Sequence, residues 1–277
     1  MAINYAEKFS PIVDEAFRLS ALTNAAVNND YDWIGVETVK VYSIPTVAMN
    51  NYDVDGAHPF ARYGTPGELQ NTVQELQLTQ DRSFTFTIDR KSEQDTVGVM
   101  SASAALARQI EQVVIPEVDT YRIAKMFSSA GNTKTETVTA SNAYATFLAV
   151  QEMLDDDKAP QAGRLCFATP AYINFLKLDS AFVKTADLAT RVAFTGQVGE
   201  VDGVAIIKVP TSYFPAKANF VITNRLAMPA PIKLTEYKIH TDAPGISGSL
   251  VEGRIRYDAF VLNNKANAIG ACSKSGT

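Results

Sequence analysis

The sequence predicts an α+β fold, with helical and strand-rich stretches that are largely separate along the chain. Apolar residues recur at helical spacing between Ser101 and Gly131, and they alternate with polar residues from Leu76 to Ile88 and from Arg254 to Leu262. Thr133 to Ile239 mixes short pieces of both kinds. With 277 residues and 46% hydrophobic content, the chain can bury a substantial core in one large domain or two modest ones.

The composition argues against several classes of protein. The 25 basic and 30 acidic side chains leave a net charge of −5, and the basic residues form no stripe of the kind that grips nucleic acid. Cys166 and Cys272 provide neither a disulfide framework nor the paired spacing of a zinc site. Because the chain shows no apolar signal-peptide core and no run near the ~20 apolar residues of a membrane span, we expect folding in a reducing cytoplasm.

The first predicted elements are a short helix and a strand. Ser10 and Pro11 have the character of an N-cap and a first helical residue, and apolar residues follow at helical spacing. Between Thr38 and Ile44 valines alternate with Lys40, and Pro45 then interrupts the run. We therefore predict an amphipathic helix that opens the chain and a strand that ends before Pro45.

A long loop and a hairpin are predicted next. Asn50 to Leu69 is rich in Gly and Pro with little periodicity, which is typical of an extended loop. Two alternating runs then flank a polar turn at Thr79 to Arg82, and their apolar residues are Leu76, Leu78, Phe84, Phe86 and Ile88. A hairpin on such an arm is marginal alone, so its apolar face needs a covering surface, from its own domain or from a partner subunit.

Ser101 to Gly131 is the most helical stretch, and Pro116 lies within it. Proline favours the first helical position, and Glu117 and Asp119 follow where a first turn prefers acids. We therefore predict that Pro116 opens a second helix, and Gly131 stands where a C-cap would.

The stretch from Thr133 to Ile239 predicts a compact α/β subdomain. The predicted elements are a helix at Ala143 to Asp156, a strand at Leu165 to Ala168, a helix opened by Thr169 and Pro170, and strands at Val204 to Val209 and Asn219 to Thr223. A final strand is predicted at Arg254 to Leu262.

Residues that could carry acid–base or nucleophilic chemistry are few. His58 lies in the Gly/Pro-rich loop and His240 ends a strand-like segment, so we interpret both as loop or surface residues. Cys166 stands in the apolar run LCFA, where a buried and inert thiol is expected. We expect no catalytic site, no cofactor and no metal site.

Two acidic groups imitate metal sites and are interpreted otherwise. Asn51, Asp53 and Asp55 resemble the start of a calcium loop, but Arg62 stands where the bidentate Glu is required. The run Asp155 to Asp157 ends a helix before Pro160 and is interpreted as a solvated helix end. The glycines near residue 200 form no GxGxxG, and no phosphate-binding or serine-hydrolase motif is present.

Several strings together resemble the major capsid proteins of tailed bacteriophages, the Hong Kong 97-like family, nearly from end to end. They are VKVYSIPTVAMNNY, RYGTPGELQNTVQELQLTQDRSFTFTIDR, SASAALARQIEQVVIPEVDTYRIAKM, RLCFATPAYINFLKL and RIRYDAFVLNNKANAI. The resemblance implies the family's fold. Its parts would be an N-arm with the first peripheral strand in 1–49, the E-loop in 50–95, the peripheral domain with its spine helix in 96–132, the axial domain in 133–239 and a C-terminal return to the peripheral domain in 240–277.

The resemblance also implies a function. The chain would assemble into hexamers and pentamers of an icosahedral virion shell in the host cytoplasm and enclose double-stranded DNA, which it would contact weakly and without sequence specificity. The E-loop hairpin would lie across a neighbouring subunit, and Pro116 would be a hinge of the spine helix. Expected partners are further copies of the chain, a portal, decoration proteins and a separate scaffolding protein, because the recognisable arm starts almost at Met1.

Two rival functions carry their own expectations. An encapsulin-like nanocompartment would share the fold and enclose a protein cargo instead of a genome. A soluble α/β enzyme or ligand-binding protein would be a small oligomer with a deep polar pocket, and the loop near His58 would act as its lid.

Overall fold

A computed structural model of the chain describes residues 21–28, 38–44, 46–55, 62–69, 71–95, 101–179, 197–241 and 243–275. The helix predicted at Ser10 and Pro11 lies outside these residues. Contacts between residues divide the chain into two units. Residues 35–77 form one of them, named here the ribbon unit, and the described residues before 35 and after 77 belong to the other, named the main unit.

The ribbon unit contains an antiparallel pair of strands, β1 (Thr38–Ser43) and β2 (Thr72–Gln77). The strand predicted from the Thr38 to Ile44 alternation is therefore confirmed. The described residues between β1 and β2 form no regular element, as the Gly/Pro content predicted. One backbone hydrogen bond joins the two sides of this stretch, from the Asp53 N–H to the Arg62 carbonyl over 3.0 Å.

A three-stranded sheet of the main unit has the order β3, β10, β9, and both pairings are antiparallel. Its strands are β3 (Gln80–Asp89), β9 (Ile232–His240) and β10 (Gly248–Tyr257), and a short helix α1 (Arg90–Asp95) follows β3. The predicted hairpin of the Leu76 and Phe84 runs is wrong, because β2 pairs with β1 and β3 pairs with β10. The alternation of apolar and polar residues predicted both strands, but it gave no information on which other strands they pair with.

Thr79, which follows the ribbon unit in the sequence and belongs to the main unit, is held by two hydrogen bonds. Its backbone N–H and its hydroxyl both donate to one carboxylate oxygen of Asp258, over 2.7 and 2.8 Å. The other oxygen accepts the Tyr121 hydroxyl over 2.7 Å. Burial, together with this carboxylate, raises the pKa of Tyr121 to about 12. Asp258 thereby holds the start of β3 against the helix that carries Tyr121.

The predicted helical stretch is one continuous run of three segments. These are α2 (Ala102–Gln109), a π-helical turn (Ile110–Val114) and α3 (Ile115–Ser128). Ser101 caps α2 by accepting the Ala104 N–H. Pro116 lies in the first turn of α3 as predicted, and the π turn joins α2 and α3 into one continuous run. The C-cap is Ser129, so the expectation that Gly131 caps the helix is wrong.

A six-stranded mixed sheet has the order β4, β11, β8, β5, β7, β6. Its strands are β4 (Asn132–Thr135), β5 (Arg164–Ala168), β6 (Gln197–Val201), β7 (Val204–Lys208), β8 (Ala218–Asn224) and β11 (Gly270–Ser273), with helices α4 (Ala143–Asp156) and α5 (Pro170–Leu178). The predicted helices and β5, β7 and β8 are confirmed. β9 lies in the three-stranded sheet and β11 in this one.

The core of the main unit has three clusters. On one face of the six-stranded sheet, Phe147 of α4 and Tyr172 of α5 pack against Phe220, with ring centroids 5.8 and 4.5 Å away. On the other face, α3 contributes Ile123 and Met126, which are fully buried. A third cluster packs the α2–α3 run onto the three-stranded sheet. The α2–α3 run thus contributes to the cores of both sheets.

Gly253 in the middle of β10 is expected to be intolerant of a side chain. It lies opposite Phe84 and Tyr237 in the sheet, and a Cβ atom there would overlap the Phe84 ring. We expect Gly253→Ala to lower the free energy of unfolding by about 1–3 kcal/mol, because an overfilled core must shift. Denaturant unfolding measures this, with Gly67→Ala as the control, since a Cβ there meets nothing within 4 Å. Equal stability of the two variants would contradict the packing described.

Candidate assembly surfaces

The five apolar residues predicted to contact a neighbour are largely covered by their own chain. Leu76, Leu78 and Ile88 are at most 5% exposed. Phe84 and Phe86 are half-buried beside the helical run, and Phe84 lies 5.9 Å from the Tyr237 ring. Phe84 and Phe86 therefore have part of their covering surface within their own chain.

The exposed apolar side chains gather elsewhere, in the ribbon unit. Among the described residues of the whole chain, thirteen large hydrophobic side chains are exposed, and nine belong to this unit. The nine are Tyr42, Ile44, Val47, Met49, Tyr52, Val54, Tyr63, Leu69 and Val73. Met49 is 99% and Tyr63 85% exposed. Exposed apolar residues so concentrated in a small segment are typical of an interaction surface.

The strand register places these residues along the ribbon. Tyr42 lies opposite Val73, and two residues nearer the start of β1, Lys40 and Glu75 form an ion pair of 2.7 Å on the same face. Beyond the strands, the Tyr52 and Tyr63 rings meet edge to face at 5.0 Å. The apolar surface therefore extends from the end of the β1–β2 pair at Ser43 and Thr72 toward residues 55 and 62.

Sequence reasoning missed this surface although the signal was present. The stretch YSIPTVAM combines closely spaced apolar residues with Pro45, and it was used for the predicted strand, for the end of that strand and for the family resemblance. Apolar residues in a segment that forms no regular element have no sheet or helix to cover them. Their density in a Gly/Pro-rich loop was the available indication.

A buried charged cluster fixes residues 21–28 to α3. The Asp119 carboxylate accepts the N–H groups of Leu22 and Thr23 and, over 2.6 Å, the Thr23 hydroxyl. Arg122 is 1% exposed and donates to Thr23, Asn24 and the Ala230 carbonyl. Burial raises the pKa of Asp119 and lowers that of Arg122 to about 10. A pKa of about 10 keeps Arg122 positively charged at neutral pH.

The predicted hinge, Pro116, lies beside an irregular part of the helix. The Ile115 N–H donates to the Ile110 carbonyl, the five-residue spacing of a π turn. A cavity of about 180 Å³ lies between this turn and the sheet, lined among others by Val113, Val114 and Phe84. Arg82 and Glu117 form an exposed ion pair of 2.6 Å at this site. A π turn, a proline and unfilled space thus coincide at one point of the run.

The candidate chemical residues are not brought together in the described ranges. His240 pairs with Glu252 over 3.2 Å on the sheet surface, and His58 lies outside the described residues. Cys166 is fully buried, which raises the pKa of its thiol. Asp155 pairs over 2.7 Å with the buried Arg164. Across these ranges no three His, Cys, Asp or Glu side chains are grouped as a metal site requires.

No helix in the part of the chain that the structure describes has both the length and the apolar character needed to cross a bilayer.

Comparison with protein-family models finds no match, and neither does comparison with curated proteins. Solved structures do match. A chain of Mycobacterium phage Che8 is 16% identical with a TM-score of 0.65, and the match covers 89% of this chain and 88% of that one. The capsid structure of the cyanophage P-SCSP1u gives 13% identity and a TM-score of 0.63, covering 91% and 86%.

A third match is the virus-like particle from Pyrococcus furiosus, with 10% identity, a TM-score of 0.58 and coverage of 98% of this chain and 100% of that one. These likenesses extend over nearly the whole chain and show the fold. The predicted fold class is confirmed: the chain has the α+β, Hong Kong 97-like fold of phage capsids.

Proposed function

We propose that the chain is a major capsid protein, a structural subunit without a catalytic site. Its copies form hexamers and pentamers that close the icosahedral head shell of a tailed bacteriophage around double-stranded DNA. The observation that carries the proposal is the ribbon unit, whose exposed apolar side chains require a covering surface in a chain with a capsid fold. Another copy of the same chain, present at high concentration in a shell, provides that surface.

The dimensions of the ribbon unit fit this role. Residues 38–55 in extended form reach at most about 60 Å at roughly 3.3 Å per residue. A compact domain of about 200 residues has a radius of gyration of roughly 16 Å. One ribbon can therefore cross much of a neighbouring main unit. Fully burying one large apolar side chain contributes about 1.5–3 kcal/mol, so several together support a modest interface that is repeated many times.

As part of the same proposal, we assign the named parts of the Hong Kong 97-like fold to segments of this chain. Residues 35–77 form the E-loop in this proposal, in place of the expected 50–95, because β3 pairs with β10. The α2–α3 run is the spine helix of the peripheral domain, and the six-stranded sheet is the axial domain. Residues before the fixed segment 21–28 form the N-arm.

The remaining partners follow from the same proposal. A net charge of −5 suits a container that holds DNA without gripping it. A separate scaffolding protein, a portal and decoration proteins act during assembly in the host cytoplasm, and the mature location is the virion.

Sedimentation velocity of the purified chain, alone and with a candidate scaffolding protein, tests the proposal. We expect a species far larger than a hexamer of 30.1 kDa chains. A monomer or small oligomer at every concentration in both samples would contradict it.

A protein nanocompartment is the second candidate, and the likeness to the virus-like particle from Pyrococcus furiosus, over 98% of this chain and 100% of that one, is the observation behind it. The contents of purified particles separate the two functions. Nuclease-protected DNA in particles from infected cells indicates a phage capsid, whereas a co-purified cargo enzyme without DNA indicates a compartment.

We expect the spine helix to bend at Pro116 when the chain occupies different positions in a shell. Pro116 removes one backbone hydrogen bond, and the π turn has already shifted the spacing of the others, so bending there costs less than elsewhere. Cryo-electron microscopy of one particle tests this through the angle between α2 and α3 in hexamer and pentamer copies. Copies that superpose rigidly across residues 102–128 would exclude the hinge.

A further inference from the structure

The cavity of about 180 Å³ beside the π turn lies inside the main unit, between the α2–α3 run and the three-stranded sheet. Most of its lining is apolar or aromatic and consists of Phe84, Val113, Val114, Val118, Ile255 and Tyr257. Val114, Val118, Ile255 and Tyr257 are at most 6% exposed. The helical run and the sheet thus enclose an unfilled space with largely apolar walls.

The π turn explains why this space is unfilled. Its hydrogen bond spans five residues instead of four, so the turn accommodates one extra residue and shifts the side chains around the helix. Ile110 and Val114 are 4% and 6% exposed, whereas Val113 is 45% exposed. Val113 therefore lies at the rim, where the cavity opens to solvent, and a small molecule can enter there.

The size and the walls of the cavity suit a single aromatic ring. A cavity of roughly 150 Å³ with apolar walls takes up a benzene-sized molecule, which supplies contacts that the empty space lacks. Phe84 stacks on Phe86 at 6.2 Å, and Tyr257 meets Tyr121 edge to face at 5.6 Å. The aromatic walls are therefore ordered before a ligand arrives, so binding requires little reorganisation.

Polar groups in the lining define the rest of the ligand. Arg82 and Glu117 form their ion pair of 2.6 Å here, so together they add no net charge. The Gln109 amide and the Ser83 hydroxyl can each donate and accept a hydrogen bond. A hydroxyl group on the ring would find partners among them. A carboxylate on the ring would compete with Glu117 for Arg82 and would lose its hydration.

We propose that this cavity binds a small, uncharged molecule with one aromatic ring and a hydroxyl group, of the phenol class. The ring lies among Val114, Val118 and Ile255, and the hydroxyl group points toward Gln109 and the ion pair. The binding site does not depend on the proposed capsid function, because the cavity lies within one chain.

Methyl NMR of the unassembled chain during titration with phenol tests the site. We expect saturable shifts of the Val114, Val118 and Ile255 methyl signals, with a dissociation constant of about 1 mM or below. Benzoate has the same ring and a negative charge, and we expect it to bind about tenfold more weakly or worse. Shifts that do not saturate, shifts confined to other methyl groups, or equal binding of benzoate would overturn the proposal.

Two variants at Val114 change the cavity in opposite directions. Val114→Phe fills part of it and is expected to weaken phenol binding about tenfold or more. Val54→Phe, the same substitution at a residue that is 77% exposed in the ribbon unit, is the control and should leave binding unchanged. Val114→Ala enlarges the cavity and should bind naphthol, which has two rings, about tenfold more tightly than the unmodified chain does.

The enlarged variant decides the matter if Val114→Phe does not fold. Naphthol binding by Val114→Ala no tighter than by the unmodified chain would contradict the proposed position of the ring. Phenol binding by a folded Val114→Phe chain at the unmodified strength would contradict it as well.

A bound molecule would also act on the proposed hinge, an effect that rests on the proposed shell function and on bending at Pro116. A ring held between Val114 and the sheet favours the angle between α2 and α3 seen here, so it opposes bending. We expect saturating phenol to slow shell assembly about fivefold or more relative to benzoate at the same concentration, measured by light scattering.

The outcomes separate the binding site from the function of the chain. Equal assembly rates with phenol and benzoate would overturn the effect on the hinge and leave the binding site standing. Absence of shells in every sample would overturn the shell function, and the NMR titration would still decide the binding site.

Discussion

Replacing Tyr42, Met49 and Tyr63 by serine is expected to abolish shell formation while the chain still folds. All three are between 64% and 99% exposed, so the core loses nothing when they are truncated. In an assembled shell each would be buried against a neighbour, and each buried large apolar side chain contributes about 1.5–3 kcal/mol. The triple variant therefore removes several kcal/mol from every subunit contact.

The effect on assembly is expected to be all or none, since every subunit in a closed shell repeats the same contact. A moderate loss per contact is multiplied over the particle, and the concentration of chain required for assembly rises accordingly. Light scattering and sedimentation measure assembly, and circular dichroism with thermal unfolding measures the fold. We expect no particles and a melting temperature within a few degrees of the unmodified chain.

A conservative variant makes this result specific. Tyr42→Phe, Met49→Leu and Tyr63→Phe keep the apolar surface and are expected to assemble at near-normal yield. Shells from the serine variant at the unmodified yield would show that the ribbon's apolar surface is not used between subunits. A serine variant that loses its circular dichroism signal would show instead that the ribbon supports the fold.

Asp119→Ala is expected to lower the free energy of unfolding by about 3–5 kcal/mol, the cost of leaving one partner of a buried charged pair behind. Arg122 would remain as an almost fully buried cation without the nearby carboxylate. The N–H groups of Leu22 and Thr23 would lose their acceptor. Typical domains have only about 5–15 kcal/mol of stability in total, so the variant should unfold at a much lower denaturant concentration.

Two comparison variants isolate the buried charge. Glu117→Ala breaks the exposed pair with Arg82 and is expected to cost less than about 1 kcal/mol. Asp119→Ala/Arg122→Met removes both buried charges and is expected to be more stable than Asp119→Ala alone. Denaturant unfolding of the unassembled chain measures all three. A cost of Asp119→Ala no greater than that of Glu117→Ala would contradict the role assigned to the cluster.

Elements with strong local signals could be predicted from the sequence. Thr169 and Pro170 form the cap and first turn of α5, and the apolar runs of β5, β7 and β8 mark buried strands. The turn between β6 and β7 was also predictable, because Asp202 and Gly203 both adopt positive φ, of 48° and 74°. Asp-Gly is a characteristic hairpin signal, and it was not used.

Pairings between distant strands could not be predicted in the same way. β3 pairs with β10, whose residues lie far along the chain, and β11 is inserted between β4 and β8. The π turn before Pro116 likewise has no local signature. For the assembly surface, alternation showed that Phe84, Phe86 and Ile88 share a face, but not that Phe84 and Phe86 pack against the α2–α3 run. Exposure depends on the folded chain, and nine of the thirteen large apolar side chains that are exposed among the described residues belong to the ribbon unit.

Electron microscopy of the chain expressed alone and with a candidate scaffolding protein tests the central claim most directly. We predict closed shells of uniform diameter in at least one of the two samples, because the chain has the fold of phage capsids and the ribbon unit exposes apolar side chains that a neighbouring copy can cover. A stable monomer or dimer in both samples, with the ribbon's apolar side chains still exposed, would contradict the account.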